Sequence, residues 1–75
     1  MIKELSAVVL TVDLPEHGLR MGDIGTVVLV HGDGAGYEVE FTTLDGATLA
    51  VVTLESQQLR PVTRKEIAHA RPVAG

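Results

Sequence analysis

Apolar and β-branched residues fall in short runs between turn-forming clusters, and helical spacing is poor before residue 62. Ala7-Val8-Val9-Leu10-Thr11-Val12 predicts a first strand. Asp13 to Gly22, with Pro15 and two glycines, predicts a long polar loop. Gly25 to His31 predicts a second strand, but its unbroken Val27-Val28-Leu29-Val30 leaves the inward face unassigned. Gly32-Asp33-Gly34-Ala35-Gly36 reads as a hairpin connection, since its glycines accept positive φ. Tyr37-Glu38-Val39-Glu40-Phe41 alternates without fault, placing Tyr37, Val39 and Phe41 in the core and both glutamates in water. After a turn at Leu44-Asp45-Gly46, Thr48 to Leu54 is a fourth strand. Glu55 to Gln58 is a 3₁₀ link, and Leu59 to Val62 a short edge strand marked by Pro61. Thr63-Arg64-Lys65-Glu66 has the capping-box spacing, so a helical turn or two is expected over Ile67–Ala70, stopped by Pro72.

The order of strand, long loop, Gly22-Asp23-Ile24-Gly25 turn and strand is how an SH3-like barrel opens. The expected fold is therefore all-β, a five-stranded SH3-like barrel over residues 1–62, followed by a basic, partly flexible tail at 63–75. Closure is favoured because an open sheet leaves unpaired edges. Seventy-five residues make one domain, and a chain of that size buries only about 60% of its unfolded surface. With no cysteine, neither a disulfide nor a thiolate zinc site can brace it.

Charge divides the chain. Up to Leu59, Lys3 and Arg20 stand against nine carboxylates, a balance of −7; from Arg60 onward Arg60, Arg64, Lys65 and Arg71 stand against Glu66, a balance of +3, and the two sum to −4. An acidic barrel repels phosphate backbones and favours a basic partner. No run is long and apolar enough for a bilayer, and the first residues lack the basic and apolar regions of a signal peptide, so a cytoplasmic protein is expected.

Known chemical motifs fail on inspection. The glycine-rich segment at 32–36 has no helix pattern after it and no Lys-Ser/Thr pair, which a phosphate loop needs. His17, His31 and His69 lie on separate segments with no ligand spacing, so no metal or other cofactor is expected. Asp13 and Glu16 are close in one loop, but acid–base work needs a pocket that shifts their pKa values, and a barrel this small has little room for one. Ser6 and Ser56 lie in no nucleophile elbow. Tyr37 and Phe41 are the only aromatics and both fall on the buried face, which removes a proline-peptide groove and a base-stacking platform. The chain is therefore not expected to be an enzyme.

Three segments carry a resemblance: Val9 through Leu19, then Gly22-Asp23-Ile24-Gly25-Thr26-Val27-Val28, then Tyr37 to Phe41. Over roughly residues 5–62 they resemble a family of short bacterial proteins known as a domain of unknown function. That family looks like a stand-alone relative of the SH3-like barrel in the nitrile hydratase beta subunit, and is more loosely similar to KOW-type barrels. The first likeness implies an accessory role beside another protein, and the toxin-like genes beside some members of that family imply an antitoxin or immunity role. The second implies nucleic-acid or ribosome binding, from which the acidic barrel departs.

The functional expectation is a protein-binding module, an adaptor or a neutralising partner for a basic protein. Its expected contact residues are Asp13, Glu16, His17 and Arg20 in the loop, with Glu38 and Glu40 on the third strand. The alternative is a KOW-like module in which Arg60, Arg64, Lys65 and Arg71 meet phosphates, and a further possibility is a homo-oligomer formed by edge pairing.

Overall fold

A computed structural model describes residues 2–73; Met1 at the start of the expected barrel, and Ala74 and Gly75 at the end of the expected tail, lie outside the described residues. Five strands form one antiparallel sheet: β1 (Ala7–Leu10), β2 (Ile24–His31), β3 (Gly36–Thr42), β4 (Thr48–Leu54) and β5 (Leu59–Pro61), in the order β4-β3-β2-β1-β5. The remaining regular structure is two 3₁₀ turns, Pro15–His17 and Ser56–Gln58. Among the described residues, no helix is long and apolar enough to cross a membrane.

The alternation of β3 does what its sequence says. Tyr37, Val39 and Phe41 are buried and join Val8 and Leu10 of β1, Val27 of β2, Val52 and Leu54 of β4 and Leu59 of β5 in one core. Since every strand feeds that core, the sheet wraps around it. It does not close: β4 and β5 are its two ends, with no ladder between them. The architecture is thus all-β and only loosely barrel-like, which corrects the expectation of a closed ring. The physical reason lies in the second 3₁₀ turn, which carries the chain from β4 across to the free side of β1. There the Thr11 N–H donates to the Gln58 carbonyl at 2.9 Å, and Thr11 Oγ1 donates to that of Gln57 at 2.7 Å.

A bulge explains the unreadable face of β2. Val27 pairs with Val39 and Leu29 with Glu38, so two steps along β2 match one along β3 and Val28 is the extra residue. Val27 is therefore inward while Val28 and Leu29 are both exposed. Upstream, Gly25 leaves no room for a side chain. A Cβ there would stand 2.6 Å from Val39 Cγ1 and 2.8 Å from Phe41 Cε1, so this glycine is what lets β2 lie over the core aromatic.

The first strand is shorter than its β-branched run. It ends at Leu10, and Thr11 and Val12 leave the ladder. The tail differs more: among the described residues beyond Pro61 there is no helix. Half of the expected capping box is made, with the Thr63 N–H donating to Glu66 Oε1 at 2.7 Å, but it closes only a turn. A helix of two turns is marginal without packing, and Glu66 is also held by Arg60, whose guanidinium reaches both its oxygens at 2.9 and 2.7 Å. Beyond that turn the described chain has no regular structure up to Val73. Glu66, Ile67, Ala68 and His69 there line a recess of about 310 Å³ together with Val9, Gly22 and Ile24.

Candidate binding surface

The segment 13–22 is less polar in place than in sequence. Leu14 and Leu19 are both buried, and their backbones bond to each other at 2.9 and 3.1 Å. Pro15 starts the 3₁₀ turn between them, and Gly18, at φ 68°, ends it in a left-handed conformation that suits glycine. Two carboxylates brace the descending arm. Asp13 Oδ1 accepts the Met21 N–H at 2.8 Å, and Asp23 Oδ2 accepts the Arg20 N–H at 2.8 Å. Apolar anchors and Asx-type bonds thus hold a loop whose tip faces solvent.

The tail completes this arrangement. Arg71 bonds both oxygens of Asp23, Nε to Oδ1 at 2.8 Å and Nη2 to Oδ2 at 2.5 Å, and Nη2 also donates to the Gly18 carbonyl at 3.0 Å. The two side chains are only 23% and 17% exposed. The Arg71 guanidinium holds the Asp23 carboxyl below the usual carboxylate range, helped by the Arg20 N–H and opposed by partial burial; Asp23 in turn raises Arg71. The result is an open cleft of about 540 Å³ lined by Asp13, His17 and Arg20 from the loop, Leu49 from β4, and Arg71 and Pro72 from the tail.

The expected contact residues therefore fall into two groups. Asp13, Glu16, His17 and Arg20 are all exposed on the loop, and three of them line the cleft, with Glu16 on the 3₁₀ turn beside it. Asp13 is also the brace for Met21. Glu38 and Glu40 are half-buried on the outer face of β3 instead, each tied to its neighbours. Glu38 accepts from His31 Nε2 at 2.6 Å and from Thr53 Oγ1 at 2.8 and 2.9 Å. Its carboxyl is lowered by His31 first and Thr53 second. Glu40 accepts from Thr48 Oγ1 at 2.7 Å. The His31 Nε2–Glu38 Oε2 contact of 2.6 Å is a hydrogen bond that becomes an ion pair only when the imidazole is protonated.

Of the four cations from Arg60 onward, two are occupied internally: Arg60 by Glu66 and Arg71 by Asp23. The carboxyl of Glu66 is held down to about 2, chiefly by Arg60 and then by the Thr63 N–H. Reading the sequence missed the Asp23–Arg71 pair, taking Asp23 as a turn residue and Arg71 as a phosphate contact. The signal that points to it is the opposite charge of tail and barrel. Among the described residues no group of three or more His, Asp or Glu side chains converges as a metal ligand set.

Fold and surface together define a small all-β domain whose exposed, internally braced loop is strapped by its own C-terminal segment. The chain belongs to the family described as Domain of unknown function (DUF4926), which it matches over residues 4–61. Comparison with curated proteins and with solved structures gave no match.

Proposed function

We propose that this chain is a non-catalytic protein-binding module of the cytoplasm, an adaptor or a neutralising partner of the antitoxin or immunity kind, that engages a protein with a basic surface through the loop bearing Asp13, Glu16, His17 and Arg20. The observation that carries this reading is the pre-ordering of the loop. Leu14 and Leu19 anchor it, Asp13 and Asp23 brace its backbone, and Arg71 straps its base, while Glu16, His17 and Arg20 stay exposed at its tip. A loop already held in one conformation binds with less ordering cost than a floppy one. The likeness to the nitrile hydratase beta-subunit barrel fits the same accessory role.

Glu38 and Glu40 form a separate acidic strip on the sheet and serve as a secondary contact for the same partner. Engagement of Arg60 and Arg71 by carboxylates favours a protein partner over a phosphate backbone, because contacts to nucleic acid would have to displace those bonds.

Affinity capture by the full chain, followed by binding kinetics against the purified captured protein, tests the proposal. A stoichiometric partner whose binding weakens in Glu16→Gln and more in Glu16→Lys, both folded, is expected. A partner bound equally well by both variants, or tight binding to duplex DNA or RNA at about 150 mM salt, overturns it.

A further inference from the structure

Arg71 sits in the loop as a ligand sits in a receptor. Three acceptors converge on its guanidinium: Asp23 Oδ1 on Nε at 2.8 Å, and Asp23 Oδ2 and the Gly18 carbonyl on Nη2 at 2.5 and 3.0 Å. The carboxylate is held in place independently of the tail, because its Oδ2 also accepts the Arg20 N–H at 2.8 Å. Pro72 and Val73 follow Arg71 into the lining of the cleft, beside Pro15 and Leu49.

The occupant is fastened at few points. Ile67, Ala68, His69 and Ala70 are all exposed, and among the described residues none of the four makes a hydrogen bond. The tail is thus bonded at Glu66 and next at Arg71, with four unbonded residues between them. Freeing Arg71 breaks its own bonds and leaves every strand ladder of the sheet intact.

We infer, on the reading of the loop as the partner-binding element, that Asp23 and the Gly18 carbonyl form an arginine-reading site for the protein partner, and that Arg71 is an internal stand-in which the partner's own arginine displaces. The partner's contribution is an exposed segment in which an arginine is followed by apolar residues, as Arg71 is followed by Pro72 and Val73. Lysine fits this seat poorly. Its ammonium is a point charge, whereas two carboxylate oxygens side by side match the planar fork of a guanidinium. The balance of −7 up to Leu59 attracts such a segment.

Exchange of one arginine for another conserves the bonds at the seat, so the base of the loop stays strapped in the complex. What decides the exchange is the partner's further contact with the loop tip. Tethering gives Arg71 an effective concentration in the millimolar range. The tail therefore lowers the apparent affinity of every incoming arginine by the fraction of time it fills the seat, and only a segment that also engages the tip overcomes it.

Titration of the isotope-labelled full chain with a capped hexapeptide of the sequence of residues 68–73 tests this by amide chemical shifts. Arg71→Ala and Arg71→Gln, the second keeping part of the aliphatic stem, are both checked for fold by far-UV spectra. Each is expected to bind the peptide at least about tenfold more tightly than wild type, with shifts at Gly18 and Arg20. A peptide with lysine in place of its arginine is expected to bind at least about tenfold more weakly. In wild type, excess peptide is expected to evict the tail, moving the His69 and Val73 amide signals as well. No shift at Gly18 and Arg20 in the variants at about 10 mM peptide overturns the inference. So does equal binding of the lysine peptide, or wild type binding as tightly as the variants. A captured partner whose binding weakens in Glu16→Lys but is the same for Arg71→Gln and wild type leaves the loop's binding role standing and overturns the arginine seat alone.

Discussion

Arg71 grips Asp23 across 48 positions of the chain, joining the tail to the turn that opens β2. The pair has two-point geometry, and both side chains are largely shielded from water. Bonds of this kind to charged groups are worth more than exposed ion pairs. Arg71→Ala is expected to lower the urea denaturation midpoint. It should also speed amide exchange at Arg20, whose N–H bonds Asp23. Combining it with Asp23→Asn in a double-mutant cycle should give clearly less than additive loss in urea melts, and full additivity would show the two residues to be uncoupled.

Gly25 and Phe41 report the same packing from opposite sides. Gly25→Ala puts a methyl within 3 Å of Val39 and Phe41 side-chain carbons, an overpacking expected to cost about 1–3 kcal/mol. Phe41→Ala empties the same place and is expected to cost about 3–5 kcal/mol, enough to unfold most of a domain this small. Chemical denaturation of both variants, with far-UV spectra at 25 °C, checks the order of the effects.

Acid should loosen the fold through a few identifiable carboxylates. Asp23, Glu38 and Glu66 are lowered by Arg71, His31 and Arg60 respectively. In the folded chain they stay ionised where the unfolded chain has begun to bind protons. The unfolded state therefore holds more protons there, and stability falls as pH falls. For Glu66 the contribution is intact above its ordinary value of 4.5 and is lost as pH drops toward about 2. Denaturation midpoints between pH 2 and 6 should fall less steeply in Glu66→Gln than in wild type, and an identical slope would remove Glu66 from the account.

Two acids of the loop should behave differently. Asp13 bonds the Met21 backbone, so Asp13→Ala is expected to cost about 0.5–1.5 kcal/mol of stability. Glu16 stands at the exposed tip, so Glu16→Lys should leave stability within about 0.5 kcal/mol. Against a basic partner it should lower the association rate and flatten its salt dependence, because rim charges act mainly on encounter. Stopped-flow kinetics at low and high salt separate the two roles.

The β elements were legible because local composition dictates them. The faultless alternation at 37–41, the uncharged run at 48–54 and the turn glycines each state their own structure within a few residues, and β4 falls on the expected span. Where one extra residue broke the period, at Val28, the pattern lost its meaning, since a bulge depends on the partner strand as much as on its own. The open ends of the sheet, the burial of Leu14 and Leu19 within a nominally polar loop, and the strap from Arg60 to Arg71 were decided only in three dimensions. A helix at 67–70 failed for the same reason. Its local signal was two turns long, and the long-range bonds of Glu66 to Arg60 and of Arg71 to Asp23 outweighed it. Sequence by itself determined which residues seek water, apolar surface or a turn; tertiary structure decided which opposite charges met, because that depends on distances the fold alone creates.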